Sequence, residues 1–145
     1  MLVDTSKTAF ENLLALVNTT NGTEYTEDDV SFGPPVVFSD PTKPDFNTKV
    51  VMTGKGDYTG TMDLFYTRLD LEREIMYRNY EGGVYPDVAT FMTYLEERND
   101  VRGDNVRLEL TTLPDGSEEV TTRVLPMADS WLYFGEREIV FHVSA

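Results

Sequence analysis

The chain has 145 residues, of which 40% are hydrophobic and 12% aromatic, so it can form a packed core. It carries 12 basic and 26 acidic side chains, and this net charge of −14 repels the phosphates of nucleic acids and anionic membranes. The lack of cysteine and the single histidine, His142, exclude disulfides, thiolate catalysis and a metal site of several histidines from one chain.

A helix is predicted near the start of the chain. Apolar residues fall on one helical face at Phe10, Leu13, Leu14 and Val17. Its N-cap is either one of Asp4, Thr5 and Ser6 or a capping box of Thr8 with Glu11. Gly22 supplies the left-handed conformation that ends such helices.

Three extended segments are predicted to follow in the first half. A short strand at Val30–Phe32 ends at Gly33–Pro35 and continues extended over 36–38. Strands at Thr48–Thr53 and Thr61–Leu69 come next, and the second alternates apolar and polar residues. We expect Val30–Phe38 and Thr48–Thr53 to offer exposed strand edges for binding.

The second half repeats this order of elements. Residues 70–80 are expected to be a helical turn or a connector, and the glycine-rich segment 81–86 is the expected boundary. Asp87 is the predicted N-cap of a helix with Val88, Phe91 and Leu95 on one face. A strand at 106–113 is predicted to form a hairpin with 119–125 through the turn at 114–117, and 131–143 closes the chain as one strand or a pair.

Residues 58–66 and 133–141 have the same order of residue types, and each segment begins with Tyr-x-Gly. Together with the order of elements they predict an α+β fold of two pseudo-repeated α-β-β-β halves with mainly antiparallel strands. The halves are 1–80 and 81–145, forming either one compact unit or two small abutting subdomains. The candidate structural or interface residues are Tyr58, Gly60, Tyr66, Trp131, Tyr133 and Gly135.

No catalytic constellation is found. The acidic residues 27–29 lack the spacing of a calcium loop, and 54–57 lack the Walker spacing of a phosphate loop. No neighbouring pattern supplies His142 with a nucleophile or carboxylate partner. Trp131 fits a core position better than an interface anchor. We therefore expect no enzyme activity, no cofactor and no metal.

The first half resembles a repeat in virion structural proteins of large tailed bacteriophages, of the myovirus or jumbo-phage type. The resemblance rests on a helix ending in Asn21-Gly22-Thr23, a strand ending in Phe32-Gly33-Pro34, and the phrases Tyr58-Thr59-Gly60 and Phe65-Tyr66-Thr67-Arg68-Leu69. It covers about residues 10–70, and 87–143 form a degenerate echo without Asn-Gly-Thr, Gly-Pro or the arginine.

The resemblance implies a non-enzymatic component of a phage head, tail or baseplate that assembles with other virion proteins as a homo- or hetero-oligomer. With no apolar run long enough for a membrane span and no signal-peptide layout, we expect synthesis in the host cytoplasm and a final location in the virion. The alternative is a soluble adaptor that recognises protein or carbohydrate. A small hydrolase using paired carboxylates is a distant third.

Overall fold

The structure, a computed structural model, describes residues 1–144 and is a mixed α+β fold in which most neighbouring strands are antiparallel. The chain forms two compact units. The first comprises Met1–Arg68 and Asp129–Leu132, and the second comprises Leu69–Ala128 and the residues from Tyr133 onward.

The first unit contains one helix and four strands. Their bounds are α1 Ala9–Asn21, β1 Val30–Phe32, β2 Val36–Val37, β3 Thr48–Gly54 and β4 Thr61–Tyr66. Of the two N-caps that the sequence left open, the helix uses Thr8, whose Oγ1 accepts a hydrogen bond from the backbone N of Glu11 at 3.1 Å. It ends at Gly22 with φ 65°, as the sequence predicted.

Strand β3 lies at the centre of the first unit's sheet. One side pairs with β4, and the other pairs with β1 and β2, which together act as one strand interrupted by Pro34 and Pro35. All these pairings are antiparallel. The prediction that Thr48–Thr53 offers an open edge is therefore wrong, because both sides of β3 are used; the outer strands are β1/β2 and β4.

The core of the first unit lies between α1 and one face of this sheet. Leu13 packs with Val50 and Tyr66, and Val17 packs with Val30 and Met52. Alternation explains the arrangement, because Thr48, Val50 and Met52 are buried while the residues between them are more exposed. Strand β4 ends at Tyr66, three residues before the predicted end at Leu69.

Within the residues that the structure describes, the second unit contains six strands and two helices. Their bounds are β5 Leu69–Asp70, α2 Leu71–Glu74, β6 Asn79–Glu81, α3 Val88–Asn99, β7 Val106–Leu108, β8 Val120–Pro126, β9 Tyr133–Phe134 and β10 Arg137–His142. A short 3-10 turn at Gly103–Asn105 precedes β7. Asp87 caps α3 as predicted, accepting from the backbone N of Thr90 at 2.7 Å.

The main sheet of the second unit has the order β6-β10-β8-β7, and β5 pairs with β9 in a separate two-stranded sheet. The β6–β10 and β5–β9 pairs are parallel and the others antiparallel. Phe91 of α3 packs on Phe141 of β10 with ring centroids 4.9 Å apart. The closing segment, residues 131–143, therefore contains the two strands β9 and β10, which pair with other strands and not with each other.

The predicted hairpin between β7 and β8 forms, but β7 ends at Leu108 instead of residue 113. The loop that follows bonds elsewhere: Pro114 O accepts from Gly83 N at 3.0 Å, and Gly116 O accepts from Ser144 N at 3.0 Å. These bonds hold the loop away from the continuation of the hairpin ladder.

The division between the units lies after Arg68, whereas the sequence predicted it at residues 80 and 81. Residues 69–81 belong to the second unit because β5 and β6 are paired there with β9 and β10. The glycines expected to mark a boundary make a close backbone approach instead, since a Cβ at Gly82 would lie 2.9 Å from the Cα of Gly116.

Candidate functional site

The six residues singled out from the sequence do not form one site. Four lie in the first unit and two, Tyr133 and Gly135, in the second.

Tyr66 and Trp131 form a buried polar link within the first unit. Tyr66 Oη donates to the backbone O of Trp131 at 2.7 Å, and Trp131 Nε1 donates to the backbone O of Gly33 at 2.8 Å. The indole also packs edge-on against Phe10 and Phe32, with centroids 6.1 and 6.0 Å away. Burial raises the pKa of the Tyr66 phenol above its ordinary value. Both side chains thus hold the segment 129–132 in the first unit.

Tyr133 is also internal, with 1% of its surface exposed. Its Oη accepts from the backbone N of Arg102 at 2.9 Å, and burial raises the pKa of its phenol. Gly135 follows with φ 75°, and a Cβ there would lie 2.6 Å from Asp70 Oδ1. This pair fixes local structure in the second unit.

Tyr58 and Gly60, by contrast, lie on the surface beside the start of β4. The Tyr58 side chain is 46% exposed and stacks edge-on against Tyr25 at 5.2 Å between centroids. Gly60 has φ 88°, and its O accepts from Gly54 N at 3.0 Å, which closes the turn between β3 and β4.

The outer edge of β4 is open: among residues 1–144, β4 pairs with β3 alone. Since Gly60 O and Tyr66 O both accept bonds on the β3 side, alternation turns the N–H and C=O groups of residues 61, 63 and 65 outward. Thr61 and Asp63 are exposed. These groups can pair with a further strand.

Two hollows flank this edge on the side of α1, and Met62 lines both. The first has a volume of about 220 Å³ between Leu16 of α1, Phe46 and Leu64. The second has a volume of about 150 Å³ beside Tyr25 and Tyr58. Met62 is 54% exposed between them, so we call the edge and both hollows the β4 groove.

The β4 groove was only partly predictable. The alternation of Met62, Leu64 and Tyr66 indicated one apolar face of a strand. Leu16 lies off the predicted apolar face of the helix, and Phe46 lies in a proline-containing loop, so no local pattern singled them out.

Comparison with known protein families identifies the family of this chain. One family model matches residues 3–138, described as a family of unknown function, DUF7941. The chain belongs to the DUF7941 family. The matched range includes residues of both units and the whole β4 groove. No curated protein and no solved structure matches the chain.

Charged side chains of this DUF7941 protein pair at the surface. Within residues 1–144 no group of three or more histidine or acidic side chains is arranged to hold a metal ion. In the same range no helix has the length and apolar character needed to cross a membrane. The carboxylate of Asp63, beside the groove, lies 3.4 Å from Lys49 Nζ. What the β4 groove offers chemically is main-chain hydrogen bonding, apolar hollows and one acidic side chain.

Proposed function

We propose that this DUF7941 protein is a non-enzymatic structural component of a tailed-bacteriophage virion, in the head or the tail and baseplate, and binds other virion proteins. The observation that carries the proposal is the open edge of β4 beside apolar hollows. A strand edge with adjacent pockets recognises another polypeptide chain, because main-chain bonds supply affinity and pockets supply selectivity.

The phrases that resemble the phage repeat support this proposal, since the glycines of three of them lie at the boundaries of elements in the first unit. Gly22 ends α1, and Gly33 follows β1 and donates from its N to Val51 O at 2.9 Å. Gly60 precedes β4. The resemblance thus extends over three structural boundaries.

We also propose that the two halves of the chain, residues 1–80 and 81–145, are diverged copies of one α-β-β-β repeat that now contact different neighbours. In support, Gly60 and Gly135 both adopt left-handed φ angles, 88° and 75°, shortly before six-residue strands. Their tyrosine neighbours have diverged, because Tyr58 is exposed whereas Tyr133 is buried.

The charge of the chain supports protein partners rather than nucleic acid. A formal charge of −14 disfavours contact with packaged DNA and favours basic surfaces on neighbouring proteins. The virion is the proposed location, after synthesis in the host cytoplasm, as a homo- or hetero-oligomer.

The test is quantitative mass spectrometry of density-purified particles of the phage that encodes the chain. The proposal expects a constant copy number per particle that survives a high-salt wash. Recovery of the protein only in the soluble lysate fraction would refute it.

A soluble adaptor that binds carbohydrate is the second candidate, and one observation favours it. Tyr25 and Tyr58 present an edge-to-face pair beside the smaller hollow, and aromatic faces suit sugar rings. Glycan binding that is lost in Tyr58→Ala and kept in Tyr94→Ala, a substitution of another exposed tyrosine, would support this candidate.

A further inference from the structure

We propose that the β4 groove receives an extended segment of another protein in which apolar and basic side chains alternate, and that this segment adds a strand to β4. The inference takes from the proposed function only that the chain acts by binding a protein. It rests on the backbone, the hollows and the charge at this edge.

Of the two outer strands, β4 is the one suited to strand addition. The opposite edge is interrupted by Pro34 and Pro35, and proline and irregular strands are common means of blocking an edge. Strand β4 runs unbroken from Thr61 to Tyr66. Its outward N–H and C=O groups at 61, 63 and 65 provide a ladder for an incoming backbone.

The two hollows can receive the apolar side chains of the alternating segment. Side chains on one face of a strand recur about every 7 Å, so consecutive same-face side chains of the segment can enter the hollows on either side of Met62. The larger hollow, between Leu16 and Phe46, accepts a branched aliphatic side chain. The smaller, beside Tyr58, accepts a second one.

Charge accounts for the basic half. Asp63 is the one charged residue lining either hollow, and its side chain is 53% exposed. On β4 it belongs to the face opposite to Met62, so the segment's intervening side chains lie beside its carboxylate. The Asp63 carboxylate already lies 3.4 Å from Lys49 Nζ, so a lysine or arginine there shares this exposed carboxylate with Lys49 and is further favoured by the net charge of −14.

A second copy of this chain does not provide the alternating apolar and basic side chains that the β4 groove favours. In the antiparallel register that overlaps residues 61–65 of two β4 strands, Asp63 lies opposite Asp63, and the side chains on that face, Thr61, Asp63 and Phe65, include no lysine or arginine. Like charges directly opposite each other destabilise a strand pair. The occupant is therefore a different protein.

The experiment uses the full chain and the labelled peptide Val-Lys-Val-Lys-Val-Lys-Val, followed by fluorescence anisotropy. A scrambled peptide of the same composition and a Val-Glu analogue are the controls. We expect the alternating Lys peptide to bind about tenfold or more tightly than either, since each lost contact weakens binding several-fold. Equal binding of the alternating and scrambled Lys peptides would overturn the inference, because it would reduce the interaction to net charge.

Two further measurements separate strand addition from other binding. Two N-methylated peptides are compared, each methylated on one of the two sets of alternate backbone nitrogens. Only one set of N–H groups faces β4, so one methylated peptide should lose binding and the other should keep it. Asp63→Lys should transfer the preference to the Val-Glu peptide, whereas Asp57→Lys, at an exposed loop position, should not. Identical effects of both methylation patterns would also overturn it.

The outcome is independent of the virion assignment. If the chain is absent from particles but the alternating peptide binds with the methylation pattern described, the virion proposal fails and this one stands. If the chain is in particles but no peptide binds, the groove is not the contact surface.

Discussion

The substitution Tyr66→Phe tests the hydrogen bond that holds residues 129–132 in the first unit. Tyr66 is 4% exposed, and its hydroxyl donates to the backbone O of Trp131 at 2.7 Å. Phenylalanine keeps the ring that packs with Leu13 and Val50 and removes only the donor. The perturbation is thus confined to one buried bond.

The magnitude follows from what remains after the hydroxyl is removed. A hydrogen bond contributes about 0.5–1.5 kcal/mol net, and a buried acceptor left without a partner costs about 1–3 kcal/mol. No cavity of side-chain size forms, so the larger cost of about 2–5 kcal/mol for truncating a core residue to alanine does not apply. We expect Tyr66→Phe to lower the free energy of unfolding by about 1–2 kcal/mol.

The matched control is Tyr58→Phe, which makes the same chemical change on a side chain that is 46% exposed. We expect its effect to be smaller than about 0.5 kcal/mol. Urea unfolding is followed by the fluorescence of Trp131, the single tryptophan, which lies in the first unit, and by far-ultraviolet circular dichroism. Equal midpoints for the two variants would refute the assigned bond. A red-shifted native emission spectrum in Tyr66→Phe, with unchanged circular dichroism, would locate the loss at the 129–132 segment.

Gly60→Ala and Gly135→Ala should both destabilise the protein by about 1–2 kcal/mol through their left-handed φ angles, 88° and 75°. Gly135→Ala should lower the free energy of unfolding, measured in urea, by more than Gly60→Ala. The Cβ at position 135 would lie 2.6 Å from Asp70 Oδ1 and disturb the hydrogen bond that this oxygen accepts from Glu72 N, whereas Gly60 faces open space. Equal losses of stability in the two variants would contradict this. Stability should also fall as the pH rises above about 10, because burial raises the pKa of Tyr66, Tyr80 and Tyr133, so the unfolded chain loses these protons first. Urea midpoints measured from about pH 8 to pH 11 check this, and Tyr133→Phe should flatten the decline; an unchanged slope would contradict the assignment.

The start of α3 and the C-terminal end of α1 were predictable because their signals are local. Asp87 defines the start of α3 and the left-handed Gly22 ends α1, while Thr8 was one of two N-caps that the sequence offered for α1. Each involves atoms a few residues apart, so the sequence carries the information directly.

Apart from the β7–β8 hairpin, which a local turn signal predicted, the neighbours of the strands were not predictable, because alternation identifies the faces of a strand and says nothing about its edges. Thr48–Thr53 was predicted to be an edge strand because prolines flank it, yet β3 lies at the centre of its sheet. Likewise β5 and β6 are too short to predict, and they form because they pair with β9 and β10, which are distant in sequence.

The candidate site was only partly predictable for the same reason. The turn glycines at 60 and 135 are local features, whereas the exposure of Tyr58 and the burial of Tyr133 depend on tertiary packing. The β4 groove depends on both, since its larger hollow requires α1 and β4 to be neighbours.

Asp63 then has two consequences at this edge. An unprotected strand edge invites association with identical chains, and a charge placed along it opposes that association. In the antiparallel register that overlaps residues 61–65 of two copies, the carboxylate of Asp63 faces its own copy and repels it. Beside a basic segment, the same carboxylate attracts the incoming lysine or arginine and is shared with Lys49, whose Nζ lies 3.4 Å away. One residue thus both opposes this self-pairing and favours a foreign strand. Asp63→Asn should therefore weaken binding of the alternating Lys peptide and increase self-association of the chain together, and a change in only one of them would separate the two roles.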